Sequence, residues 1–196
     1  MPSPDLSILI IDENRIRASI IEEGLREAGY ARVAVIHDVN EVGRTIALTM
    51  PDVIFIDLEN PKRDTLEHFF SLSRAIQRPI AMFVDRSDGT MIEKAVEAGV
   101  SAYVVDGLKK ERVKPILEMT VSRFKAFDRL RTELEETKSA LKDRKVIDRA
   151  KGILMKSRGM SEDEAYGLLR KTAMGQGKRL AEVAEGLVSS FELLKD

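Results

Sequence analysis

Two stretches of this 196-residue chain set carboxylates directly behind apolar runs, LSILIIDE at 6–13 and VIFIDLENP at 53–61. If both runs are strands of one parallel sheet, Asp12, Glu13 and Asp57 meet at its carboxyl-terminal edge, where ligands of such sheets gather. Acids packed that closely repel one another and take up protons unless a cation screens them. Mg2+, a hard ion that accepts a few carboxylates and keeps its waters, suits the set.

A second stretch carries the opposite charge. From Lys138 to Arg179 the chain has twelve Lys and Arg against five Asp and Glu, a local charge of +7 that leaves −8 for the remainder. Within it, AKGILMKSRGMSEDEAYGLLRKTAM at 150–174 alternates cations with apolar residues at helical spacing. An acidic body with a basic patch is the footprint of a polyanion binder, and a solvated helix surface is the plainer alternative.

The elements that position these residues follow from periodicity. Leu6–Ile11, Val33–Ile36, Val53–Ile56, Ile80–Val84 and Ala102–Val105 read as five strands buried on both faces. Helix-period segments begin near Arg15, Val39, Thr65 and Met91, and a fifth follows Leu108. The alternation predicts a doubly wound, five-stranded parallel α/β sheet of the flavodoxin-like kind.

No convincing breaker follows Pro115, so the fifth helix is predicted to run on as a long one. Phe127, Leu130, Leu134, Thr137 and Leu141 step by three and four, a narrow seam with charged flanks that predicts a two-stranded coiled coil and a homodimer. Packing of the same seam on its own domain is the alternative. Three helical parts close the chain: 146–157, 162–174 behind a Ser161/Glu164 capping box, and 179–194. Their stripes, Ile147, Ala150, Ile153 and Leu154, then Ala165, Leu168, Leu169 and Thr172, then Leu180, Val183, Ala184 and Leu187, predict a small three-helix bundle. The domains expected are 1–117, a linker helix 118–145, and 146–196.

Residues 6 to about 115 resemble a response-regulator receiver domain, through the acid pair after the first strand and DLENP after the third. The resemblance implies that Asp12 and Glu13 bind Mg2+ with Asp57, and that Asp57 accepts phosphate from a histidine kinase. Its carboxylate would attack the phosphoryl group while the metal neutralises developing charge. Two positions depart from the pattern. The hydroxyl residue that ends the fourth strand of receivers is Val84 here, and the Lys that ends the fifth is Asp106; the switch aromatic, Tyr103, is present. At about 4 Å and an effective dielectric near 20, exchanging attraction for repulsion changes the interaction by several kcal/mol. That makes phosphorylation inefficient, and control by a bound protein is the competing reading.

Residues 135 to 192 resemble the ANTAR module of AmiR- and NasR-like antiterminators. The resemblance rests on AKGILM, Arg158-Gly159, Glu164-Ala165-Tyr166, Leu169-Arg170, Ala173-Met174 and the Leu180, Val183, Ala184 stripe. It implies binding to paired hairpins in a leader transcript, which favours read-through by RNA polymerase, and a nitrate-sensing partner that restrains the protein. Arg149, Lys151, Lys156, Arg158, Arg170 and Lys171 lie off the apolar stripes and suit hairpin phosphates, with Met155, Met174 and Tyr166 available to bases. Met174 and Tyr166 are weighed toward the core. Glu162, Asp163 and Glu164 open the second tail helix, an arrangement that repels phosphates beside a DNA groove and favours RNA.

There is no cysteine, so thiolate chemistry and disulfides are excluded, in keeping with a reducing compartment. The apolar runs are strand-sized and the start, MPSPDL, lacks a signal-peptide pattern, so the chain reads as cytoplasmic and not membrane-bound. His37 and His68 lack triad partners, and no glycine-rich phosphate loop appears, so no enzyme is expected. A DNA-binding two-component regulator and a protein-interaction module remain the alternatives.

Overall fold

The computed structural model describes residues 5–59 and 61–193. Asn60 of the DLENP stretch and Leu194, the expected end of the last helix, lie outside them. The chain divides into two compact units, Met1–Asp128 and Arg129–Asp196.

The first unit is a parallel sheet built from β1 (Ile8–Asp12), β2 (Val33–Ile36), β3 (Val53–Leu58), β4 (Ile80–Val84) and β5 (Ala102–Val105), in the order β2-β1-β3-β4-β5. Every residue of β1, β3 and β4 is buried, because helices cover both faces, whereas the edge strands β2 and β5 are only partly buried, which corrects the expectation of five fully buried strands. These helices are α1 (Arg15–Glu27), α2 (Val42–Thr49), α3 (Arg63–Ala75), α4 (Gly89–Glu97) and the start of α5 (Lys110–Arg158). One core joins Leu9, Ile11, Ile54 and Ile56 to Phe69 and Phe70 of α3; the other joins Ile8, Ile10, Phe55 and Phe83 to Ile21, Leu25, Val113 and Leu117. Alternate residues of one strand serve opposite cores because successive side chains point to opposite faces.

The segment expected to be helical from Val39 begins instead as a 3-10 turn, Val39–Glu41, capped by the Asp38 side chain, before α2 starts. The strands also run past the expected runs at their carboxyl ends, β1 taking in Asp12 and β3 taking in Asp57 and Leu58, while β1 starts at Ile8 and not at Leu6. Parallel register then sets Asp12 directly beside Asp57.

α5 is one helix of 49 residues that continues through Pro115, as expected from the lack of a later breaker. In the second unit its last turns pack with α6 (Glu162–Gln176) and α7 (Leu180–Leu193) around Ala150, Leu154, Ala165, Leu169, Ala184 and Val188. The stripes expected to meet do meet. Gly159 (φ 66°) and Gly177 (φ 62°) end α5 and α6 in the left-handed region, where a side chain would strain the backbone.

Both halves of the capping box are formed: Glu164 N–H donates to Ser161 Oγ and Ser161 N–H donates to Glu164 Oε2. Ser161→Ala is expected to destabilise the C-terminal bundle by about 1 kcal/mol, read as a lower unfolding midpoint in denaturant at unchanged slope.

Candidate functional site

The acid pocket lies where β1 and β3 end. Asp12 is 3% exposed, and its Oδ1 accepts from the Asn14 N–H, which turns the chain into α1. Asn14 then caps α1, its Oδ1 accepting from Ile16 and Arg17 N–H. That turn delivers a residue the sequence reading passed over. Arg17 reaches across the sheet edge and donates from Nε to Asp57 Oδ2 and from Nη2 to Asp57 Oδ1, both at 2.8 Å, while Nη1 meets Asp85 Oδ1 at 2.9 Å. The Asp57 side chain is wholly buried under this guanidinium, which itself is 20% exposed. A planar fork on a carboxylate is among the strongest charge-assisted pairings available to a protein. The pairing, with Asp57 first among its causes, raises the Arg17 pKa further above its ordinary value.

Asp12 does not share in that neutralisation. Among the described residues its Oδ2 is buried with no hydrogen-bond partner. Burial first, and then the charge of Asp57, push its carboxyl up to about 7, against the Asn14 N–H and the Arg17 charge, which pull it down. His37, at the end of β2, has Nδ1 2.7 Å from the Asp12 carbonyl; a carbonyl only accepts, so that nitrogen carries the proton.

The expectation of three converging acids is corrected here. Glu13 is exposed, and among the described residues no group of three or more His, Asp or Glu is placed to hold a metal. Asp12 and Asp57 stand side by side as a divalent ion would need, but Arg17 holds both oxygens of one of them. The pair offers such an ion one carboxylate with a free oxygen among the described residues and one already paired with Arg17.

The two positions that depart from receivers also find their places. Val84 is buried, as an apolar residue should be. Asp106 is exposed in a left-handed conformation (φ 47°) and makes no ion pair among the described residues. The cation that meets Asp57 comes instead from α1, as Arg17. Tyr103 is half-buried against Phe70, and its hydroxyl lies 3.0 Å from Ser87 Oγ in the loop after β4. Burial raises its pKa, with the Ser87 hydrogen bond opposing.

The C-terminal cations fall into two groups. Lys151 is clasped by Asp148 and Glu162, each at 2.7 Å, and Arg149 pairs with Glu192. Lys156, Arg158, Arg170 and Lys171 are exposed and form no ion pairs among the described residues. The six cations expected to act together are thus four free and two engaged. Around the free ones, Met174 is 74% exposed and Tyr166 44%, so both are corrected from core to surface; Met155 is exposed as well. Ala173, by contrast, is buried where α6 meets its neighbours. Tyr166, Arg170 and Met174 recur every fourth residue and so share one face of α6.

The seam on α5 is open to solvent in the single chain: Phe127 is 61% exposed, Leu130 58%, Leu134 53% and Leu141 53%. Thr137 satisfies its hydroxyl on the Glu133 carbonyl at 2.7 Å. No described helix is long and apolar enough to cross a membrane.

Comparison with known proteins agrees with these two units. Residues 8–118 match the response regulator receiver domain family and residues 135–188 the ANTAR domain family. Over 189 residues the chain is 29% identical to the transcriptional regulatory protein PdtaR of Mycobacterium tuberculosis, covering 96% of this chain and 92% of that one. Over 76 residues it is 36% identical to the nitrate regulatory protein of Klebsiella oxytoca, covering 39% of this chain and 19% of that one. The fold is that of a response regulator from Thermotoga maritima (TM-score 0.51, 18% identity, 60% of this chain and 98% of that chain) and of a CheY-like receiver protein from Methanospirillum hungatei (TM-score 0.53, 17% identity, 62% and 98%). The chain belongs to the response regulators, with an N-terminal receiver domain and a C-terminal ANTAR domain.

Proposed function

We propose that the protein is a cytoplasmic transcription antiterminator that binds hairpins of a leader RNA through its C-terminal bundle and is controlled through its receiver domain. The observation that carries the reading is the exposed face of α6. Tyr166 and Met174 are flat or soft apolar groups left outside the core, spaced by the exposed cation Arg170, which has no ion pair among the described residues, and flanked by Lys171. Cations meet phosphates, and exposed apolar groups meet splayed bases of a hairpin loop. The three acids at the start of α6 count against entry into a DNA groove.

In this reading the chain works as a dimer through its α5 seam, and two linked bundles engage two hairpins at once. Control belongs to a histidine kinase or a nitrate-sensing partner. The family offers Mg2+ at the acid pair, where it would supply charge neutralisation for an incoming phosphoryl group. What the chain's own residues do there is different: Arg17 neutralises Asp57, Val84 offers no hydroxyl, and Ser87 ties down Tyr103. That arrangement favours the partner protein over phosphate as the controlling input.

Titration of a tandem-hairpin leader RNA tests the reading. Arg170→Ala with Lys171→Ala is expected to weaken binding at least about tenfold and to lower the slope of log affinity against log salt by about one to two, as two phosphate contacts vanish. Arg149→Ala, which removes a cation already paired with Glu192, is expected to change affinity little. Equal affinity for duplex DNA of any sequence would overturn the assignment to RNA. Silence toward both nucleic acids would leave a protein-interaction module.

A further inference from the structure

We propose that Arg17 is a tethered counter-cation that closes the acceptor pocket, so that Mg2+ reaches the Asp12 and Asp57 carboxylates only when Arg17 withdraws. The inference concerns the receiver domain alone and stands or falls independently of what the C-terminal bundle binds.

The first argument is one of shared oxygens. A divalent ion on this pair needs at least one Asp57 oxygen, and Mg2+ demands short, nearly octahedral contacts of about 2.0–2.1 Å with several waters retained. Both Asp57 oxygens already accept from Arg17 at 2.8 Å, and the side chain is closed to solvent. Guanidinium and metal with its waters are therefore alternatives at one place.

The second argument is charge balance. The strand-five position from which receivers draw a Lys holds Asp106, exposed and without an ion pair among the described residues, so the positive charge on Asp57 must come from elsewhere. Arg17 supplies it from α1 and is held there by Asp85 as well, which ties the first turn of α1 to the end of β3 and the residue after β4.

The third is the orphan on the other side. Among the described residues Asp12 Oδ2 is buried without a partner, while Arg17 directs its donors to Asp57 and Asp85. One carboxylate of the pair is neutralised by a guanidinium and the other is not. An Arg17 that swings out, as its partial exposure and its partly exposed anchor Asp85 permit, would leave two adjacent carboxylates with a common need for a cation.

Mg2+ alone is the probe, titrated into the full-length protein by calorimetry and followed in parallel as a Mg2+-dependent rise in unfolding temperature. Wild type is expected to bind weakly, with a dissociation constant above about 1 mM, and Arg17→Gln to bind about tenfold or more tightly. Adding Asp12→Asn to Arg17→Gln is expected to abolish the gain, which places it at the acid pair. Asp85→Asn, which loosens the latch without removing it, is expected to fall between wild type and Arg17→Gln. If Arg17→Gln unfolds in chelator and recovers in Mg2+, the proposal is supported. If it stays unfolded in both, Asp85→Asn decides: tighter Mg2+ binding supports the latch and none overturns it. Wild type binding Mg2+ as tightly as Arg17→Gln overturns it outright.

Discussion

Protein carrying Leu130→Glu and Leu134→Glu is expected to sediment as a monomer and to bind a two-hairpin RNA on the order of 100-fold to 10,000-fold more weakly than wild type, with single-hairpin affinity unchanged. Both leucines stand more than half exposed on one face of α5, with Phe127 and Leu141 three and seven residues to either side. These four large apolar side chains, spaced by three, four and seven residues, form the stripe that a second copy would cover in the proposed coiled coil. Thr137 does not break the line, because its hydroxyl is already bonded within the helix and its methyl group can join the seam. A carboxylate at either Leu would be buried against its own symmetry mate in the dimer, a like-charge pair with no counter-ion. The large loss arises because a linked second bundle meets its hairpin at high effective concentration, and dissociation of the coil removes that linkage without touching any RNA contact. Sedimentation of the variant as a dimer would refute the coil; a monomer that holds tandem hairpins as well as wild type would refute the bivalent mode.

Asp12→Asn is expected to stabilise the receiver domain at pH 8 by on the order of 2–4 kcal/mol, with the gain vanishing near pH 4. The sign follows from proton counts. Burial beside Asp57 raises the Asp12 carboxyl from 3.8 to about 7 in the folded protein. Between those values the folded state holds a proton that the unfolded chain has lost, so wild-type stability falls as pH rises from about 4 to about 7 and stays diminished above. An amide keeps the Oδ1 acceptor for the Asn14 N–H and never ionises. Denaturant unfolding of both proteins at pH 4, 6 and 8, in chelator so that no metal relieves the charge, reads the difference directly. A difference that does not change with pH would show that Asp12 ionises freely in the folded state.

Much of the molecule was legible in its residues taken locally. Five apolar runs of strand length, each followed by an amphipathic segment, specify a parallel sheet, and the three central runs are apolar throughout because helices cover both their faces. Asp12 and Asp57 were recognisable because both directly follow such runs. The stripes of the three terminal helices and the seam of α5 were recognisable because side chains three and four apart share a helix face whatever surrounds them. The capping box at Ser161 is closed within four residues and needs no tertiary partner.

What composition and spacing left open was which charge meets which. Arg17 lies forty residues from Asp57 and still farther from Asp85, and nothing in the IDENRIRAS stretch distinguishes it from Arg15, which stays exposed. Only the register of β1 with β3, together with the turn set by Asp12 and Asn14, aims one of the two at the acceptor carboxylate. Along the tail, six cations look alike in sequence, yet Lys151 meets Glu162 only because α6 folds back beside α5, and Arg149 meets Glu192 only because α7 does. The exposure of Tyr166 and Met174 belongs to the same class, since it depends on which side of α6 the bundle covers. Periodicity is a property of neighbours along the chain, and so the sequence by itself determined the elements and their apolar faces. Ion pairing and burial depend on distance in space, which the packing of those elements alone decides.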